Sequence, residues 1–210
     1  MGTLDRARAL LWPNRCILCG GVVAYGEDCC RRCREQGLLL REPERRMGLE
    51  VAAVWPYRAA AGAVRRFKFQ GDMETGRKLA RRMAWAWRRQ RPGFAADCIT
   101  FVPMPEERLR RRGYNQAELL ARWVGERLEL PVVSVLGRVG EQTQHELSAA
   151  LRRQVAAHSF LLPPENEEKV RGRRVILVDD VVTTGSTAAA CAGLLLEAGA
   201  LEVAVLAAAR

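Results

Sequence analysis

Four short apolar runs punctuate the second and longer part of the chain: VAAVW at 51–55, CITFV at 98–102, VILVD at 175–179 and LEVAVLA at 201–207. Their apolar residues are largely consecutive rather than alternating, the pattern of strands buried on both faces. The stretches between them have helical period. Helices are expected over 58–69 and 75–90, with Gly71-Asp72 marking the break, and from Asn115 to about Leu128. Two more are expected from Ser148 to about Ala157 and from about Thr187 to Glu197, where Gly199 closes the last turn. Pro103 and Pro105 end the second strand, and Asn115 followed by Glu118 has the form of a cap with a returning acid. Strands alternating with helices predict an α/β domain with a largely parallel sheet flanked by helices. Upstream, residues 3–11 read as a short amphipathic helix. The polar run REPERR at 41–46 reads as a linker, dividing the chain into 1–46 and 47–210.

Composition agrees with a folded protein: 49% of the 210 residues are apolar and 28% charged. No uncharged apolar run reaches the ~20 residues of a membrane helix. The nearest, 188–209, is interrupted by Glu197 and Glu202. No basic start, apolar run and cleavage site combine at the N-terminus. The expectation is a soluble, cytoplasmic protein without membrane insertion. The net charge of +10 is uneven: +2 over 1–50, +9 over 51–130 and −1 over 131–210. A basic excess concentrated in one stretch points to a polyanionic partner or an anionic substrate.

Five of seven cysteines crowd into residues 16–33. Cys16/Cys19 and Cys30/Cys33 form two CxxC pairs, each able to wrap a turn that aims two thiolates at one ion. Together they form a four-cysteine site of the zinc-ribbon kind. Cys29 offers an alternative to Cys30. Four thiolates leave no open position, so the Zn2+ expected here is structural, and its binding would fold a module too small to make much core. Cys98 and Cys191 read as small buried residues.

The stretch VILVDDVVTTGSTAAAC at 175–191 carries the densest chemistry. A buried strand ends in Asp179 and Asp180, and the loop Thr183-Thr184-Gly185-Ser186-Thr187 leads into a helix. Ligands of open α/β sheets bind beyond the carboxyl ends of the strands. A helix N-terminus with a glycine and four hydroxyls suits a phosphate, and the two acids suit ribose hydroxyls or a water-held Mg2+. The loop is neither GxxxxGK[ST] nor GxGxxG, which disfavours a P-loop NTPase and a dinucleotide site.

This stretch resembles the phosphoribosyl-pyrophosphate (PRPP) motif of the type I phosphoribosyltransferases. Together with the paired CxxC, FKFQGD at 67–72, VPMP at 102–105, RRRGYNQAELLA at 110–121 and the segment with Gln144, Leu147, Ser148 and Arg152, it is similar to the ComF family. The order of motifs agrees along nearly the whole chain. One departure is Gln154, where the family usually has Asn. The resemblance implies a type I phosphoribosyltransferase-like domain behind a zinc ribbon. It makes Val102, Pro103, Met104 and Pro105 the pyrophosphate loop, with Arg110, Arg111 and Arg112 lending charge. It gives Asp179 and Asp180 the ribose in a displacement of pyrophosphate assisted by Mg2+. It implies a role in DNA uptake and natural transformation, with single-stranded DNA and a helicase-like competence protein as partners. The other reading is an active PRPP-dependent transferase of nucleotide metabolism. For the DNA contact, residues 58–91 interleave arginines with Phe67, Phe69, Trp85 and Trp87, a single-strand-binding pattern. Arg81, Arg82, Arg88 and Arg89 are its candidate residues.

Overall fold

The computed structural model describes residues 13–36, 42–138 and 159–210. The expected helices at 3–11 and 148–157, the segment with Gln144, Leu147, Ser148 and Arg152, and both histidines lie outside the described residues.

Each apolar run forms a strand. β2 (Leu49–Trp55), β3 (Cys98–Phe101), β6 (Arg174–Val181) and β7 (Glu202–Ala209) lie parallel, in the order β2-β7-β6-β3. Val175 pairs with both Cys98 and Val203, and Val178 with both Phe101 and Leu206, so β6 is interior to the sheet. That explains why the run from Val175 to Val178 is wholly buried. The edge is completed by β1 (Glu44–Arg46), antiparallel to β2 through a turn in which Met47 and Gly48 both take positive φ. Strand pairing thus reaches into the polar run expected as linker.

Helix α1 (Arg31–Glu35) belongs to the cysteine module. Helices α2 (Tyr57–Gln70) and α3 (Met73–Gln90) break at Gly71-Asp72 as expected. Gly71 takes the left-handed conformation, and Asp72 accepts from the Thr75 amide. A short helix, α4 (Glu106–Arg112), follows Pro105. It escapes the hydrophobic pattern because EERLRRR buries no residue. Asn115 caps α5 (Gln116–Leu128), its side chain accepting from Ala117 N. Glu118 does not return to the cap but pairs with Arg122 at 2.8 Å. A separate two-stranded antiparallel pair, β4 (Gly137–Arg138) with β5 (Phe160–Leu161), precedes β6. α6 (Ser186–Glu197) connects β6 to β7.

α3 packs on α5 and on β2 and β7, while α5 packs on β3 and β6. Close approach is set at Gly76, where a Cβ would fall 2.5 Å from the Phe67 ring and 2.8 Å from Trp123. Cys98 and Cys191 are fully buried. Among the described residues no helix is long and apolar enough to cross a membrane.

Candidate functional site

The carboxyl ends of β3 and β6 lie side by side, and the residues that follow them face one cleft of about 260 Å³. Val102, Pro103, Met104 and Pro105 line it from β3, Asp179, Asp180 and Thr187 from β6 and α6, and Arg112 from α4. Val102 N donates to Val178 O at 3.0 Å, and Asn115 Nδ2 donates to Val102 O at 3.1 Å. The Asn115 side chain therefore caps α5 and holds the 102–105 loop together. Arg112 Nη1 donates to Gln116 Oε1 at 3.0 Å, and its guanidinium lies 4.7 Å from the Phe69 ring. Its Nε is buried without a hydrogen-bond partner among the described residues.

Burial dominates at Asp179. It pushes the Asp179 carboxyl up to about 7, against the pull of the Lys68 charge. Asp180 is 8% exposed, and its carboxylate lies 2.5 Å from Lys68 Nζ. Burial lowers the Lys68 pKa, the charge of Asp179 opposes that, and Arg112 and Arg108 add to the lowering. One ammonium thus serves both acids, paired with Asp180 and acting on Asp179 through space. Asp180 N donates to Asp179 Oδ1 at 2.8 Å, which fixes the adjacent side chain.

Gly185 caps α6 with φ +90°, a conformation that favours glycine. A Cβ here would also stand 3.0 Å from Arg46 Cβ. Thr184 Oγ1 is 3.1 Å from Ser186 Oγ, and Arg46 Nη1 donates to Thr183 O. Thr183, Thr184 and Ser186 are exposed along the loop; Thr187 also reaches the cleft wall. The first turn of α6 presents N–H groups that have no partner within the helix. The arrangement can hold a phosphate at α6, a diol at the acids and a second anion at the arginines.

The cysteine centre is separate from the cleft. The thiols of Cys16, Cys19, Cys30 and Cys33 lie within 4.8 Å of one another, with Cys19 and Cys30 3.8 Å apart. Four sulfurs at Zn–S distances of ~2.3 Å in a tetrahedron are ~3.8 Å apart, so the donor set fits a structural zinc ion. Burial raises the Cys16 pKa, but backbone N–H groups of Cys19, Cys30 and Leu18 outweigh it and bring that thiol down to about 6. Burial and the neighbouring thiols push Cys33 up. Cys29 lies outside the cluster, buried, with its thiol pushed up to about 11 mainly by burial. Cys30, not Cys29, therefore completes the set.

The four arginines proposed for DNA divide into two pairs. Arg81 and Arg82 both pair with Asp28 of the cysteine module, which is 6% exposed; the Arg82 contact is 2.9 Å. Arg88 donates to the Arg127 carbonyl at 2.5 Å, and the Arg89 guanidinium lies 5.8 Å from the Trp85 ring. Trp85 is 41% exposed and Trp87 only 4%.

The phosphoribosyl transferase domain profile matches residues 110–210. Over 110 residues the chain is 36% identical to competence protein F of Haemophilus influenzae, an alignment covering 50% of this chain and 48% of the relative. The chain is a competence protein F homologue with a phosphoribosyltransferase domain. It spans about half the length of that relative. Among solved structures it is similar to the glutamine PRPP amidotransferase of B. subtilis, at 24% identity and TM-score 0.43, over 62% of this chain and 25% of that one. It is also similar to adenine phosphoribosyltransferase of Thermoanaerobacter pseudethanolicus, at 16% identity and TM-score 0.42, over 82% of this chain and 86% of that one.

Four site residues escaped the sequence reading. Lys68, Arg108 and Arg138 line the cleft, and Arg46 grips the 183–187 loop from β1. Lys68 stands in the FKFQGD segment quoted above, the available signal. For Arg46 there was none, because a contact across 137 residues of chain leaves no local pattern.

Proposed function

We propose that the cleft of this competence protein F homologue binds PRPP or a related ribose phosphate, and that the protein acts with single-stranded DNA in DNA uptake. The observation that carries the reading is the convergence of Asp179, Asp180 and Thr187 with Val102–Pro105 and Arg112 around one cleft. The 5′-phosphate sits at the amides and hydroxyls of 183–187, where the α6 dipole favours negative charge. The ribose diol donates to the carboxylates of β6. The pyrophosphate takes the 102–105 loop and Arg112, whose unpartnered Nε suits an anionic oxygen.

The cysteine centre holds zinc and keeps residues 13–36 folded. The acids offer the oxygen donors that Mg2+ prefers, but the Lys68 ammonium already stands at Asp180. The residues therefore do not fit a resident Mg2+, and binding is described without one. On α3, Arg88 and Arg89 with the exposed Trp85 are the better DNA contacts, since Arg81 and Arg82 are engaged by Asp28.

Calorimetric titration tests the ligand. PRPP should bind saturably, and Arg112→Met should weaken PRPP about tenfold or more while sparing ribose 5-phosphate. Absence of heat with both compounds at millimolar concentration refutes the reading.

A further inference from the structure

We propose that Lys68 is the built-in counter-ion of this site and that a ribose phosphate binds there without any divalent cation. The inference rests on the ribose-phosphate reading of the cleft. Two adjacent carboxylates repel one another and any phosphate brought to them, so they need a cation nearby. A bound metal is one answer. Here the chain supplies another, an ammonium 2.5 Å from Asp180, with the two side chains 24% and 11% exposed.

Lys68 is not placed there by a loose side chain on a mobile segment. It lies in the last turn of α2, which Gly71 terminates in the left-handed conformation. The preceding residue, Phe67, is fully buried, with its ring 5.8 Å from Tyr114 and 6.1 Å from Trp123. The Tyr114 hydroxyl donates to the Phe67 carbonyl, tying the end of α2 to the segment before α5. The backbone that carries Lys68 is thus held by packing and by a hydrogen bond from the segment before α5.

The wider balance points the same way. Lys68, Arg108, Arg112 and Arg138 face the cleft against two acids. With cations in excess, an anionic ligand meets a net positive site before any metal arrives. A divalent ion placed at the same carboxylates would be repelled by the ammonium already there.

The test uses the full chain with its cysteine-bound metal in place. Buffers are freed of Mg2+ beforehand, not by added chelator, which would attack the thiolate centre. PRPP binding is measured with and without Mg2+ for the native chain, Lys68→Met and Lys68→Arg. The proposal expects the native chain to bind equally in both buffers. It expects Lys68→Met to lose about a hundredfold in affinity without Mg2+, because a buried charge has lost its partner, and to regain it when Mg2+ is added. Lys68→Arg, which restores the positive charge, should keep metal-free binding. Rescue by Mg2+ separates a counter-ion from a residue that merely stabilises the fold. Native binding that requires Mg2+ overturns the proposal and leaves the ribose-phosphate reading standing. So does a Lys68→Met chain that binds undiminished without Mg2+. Should Lys68→Met fail to fold, the native chain and Lys68→Arg still decide. No PRPP binding in either buffer overturns both readings.

Discussion

At the scale of single residues, Asp179 is the most consequential. Burial raises its pKa from 3.8 to about 7, with Lys68 acting against the shift. A carboxyl whose folded pKa is raised binds its proton more tightly in the fold than in the unfolded chain. Its contribution is most favourable below the ordinary value of 3.8 and is lost as pH rises through about 7. Asp179→Asn removes that titration while keeping the shape. Thermal unfolding should therefore find the variant more stable than the native chain at about pH 8, with the gap narrowing toward about pH 5. A gap that stays constant would mean that Asp179 is not held near neutrality by burial. The acids were legible as a pair at a strand end. Their counter-ion was not, because Lys68 lies 112 positions away, in a helix whose own pattern gives no hint of where its last turn points.

At the scale of elements, the cysteine module is bound to the domain through α2 and α3. Arg66 Nη2 donates to Ile17 O at 2.6 Å, and Lys78 Nζ donates to Asn14 Oδ1 at 2.5 Å and Arg15 O at 2.8 Å. Ile17 and Leu18 are buried in the common core. Asp28 adds the pairs with Arg81 and Arg82. Two of the basic residues that suggested a polyanion surface are thus internal fasteners. Asp28→Ala leaves both guanidiniums without their partner. Since they are partly exposed, the expected loss lies between the surface and buried limits, about 2 kcal/mol. Chemical denaturation should report it with zinc content unchanged at about one ion per chain. Loss of the metal in this variant would instead mean that Asp28 supports the thiolate cluster. The paired CxxC showed the module itself. How it docks was not legible, since a charged side chain on an amphipathic helix reads the same whether it meets water or a neighbouring acid.

At the scale of the whole molecule, the legible parts are those in which local pattern and tertiary role coincide. A continuous apolar run such as VILV reads as an interior strand, and a hydroxyl-rich loop with a glycine reads as the entry to a helix, as it is at Gly185. The parts that were not legible arise from pairing across the chain: β1 on β2, the Arg46 grip on the 183–187 loop, and the antiparallel pairing of β4 with β5. The basic excess now divides between the cleft, the docking of the cysteine module and the far end of α3. That division bears on DNA. Each phosphate neutralised on a single strand contributes ~−0.7 to the slope of log K against log salt. Arg88→Ala with Arg89→Ala should flatten the slope by ~1.4, whereas Arg81→Ala with Arg82→Ala should lower stability and leave the slope nearly unchanged. Fluorescence anisotropy with a labelled oligonucleotide at several salt concentrations distinguishes the pairs. The reverse ranking would move the DNA surface onto the face beside Asp28. The central claim, that the ends of β3 and β6 enclose a ribose-phosphate site, is tested most directly by a crystal structure of the chain grown with saturating PRPP. The 5′-phosphate is expected at the start of α6, the diol at Asp179 and Asp180 and the pyrophosphate against Val102–Pro105 and Arg112; an empty cleft, or PRPP ordered elsewhere on the protein, would contradict this placement.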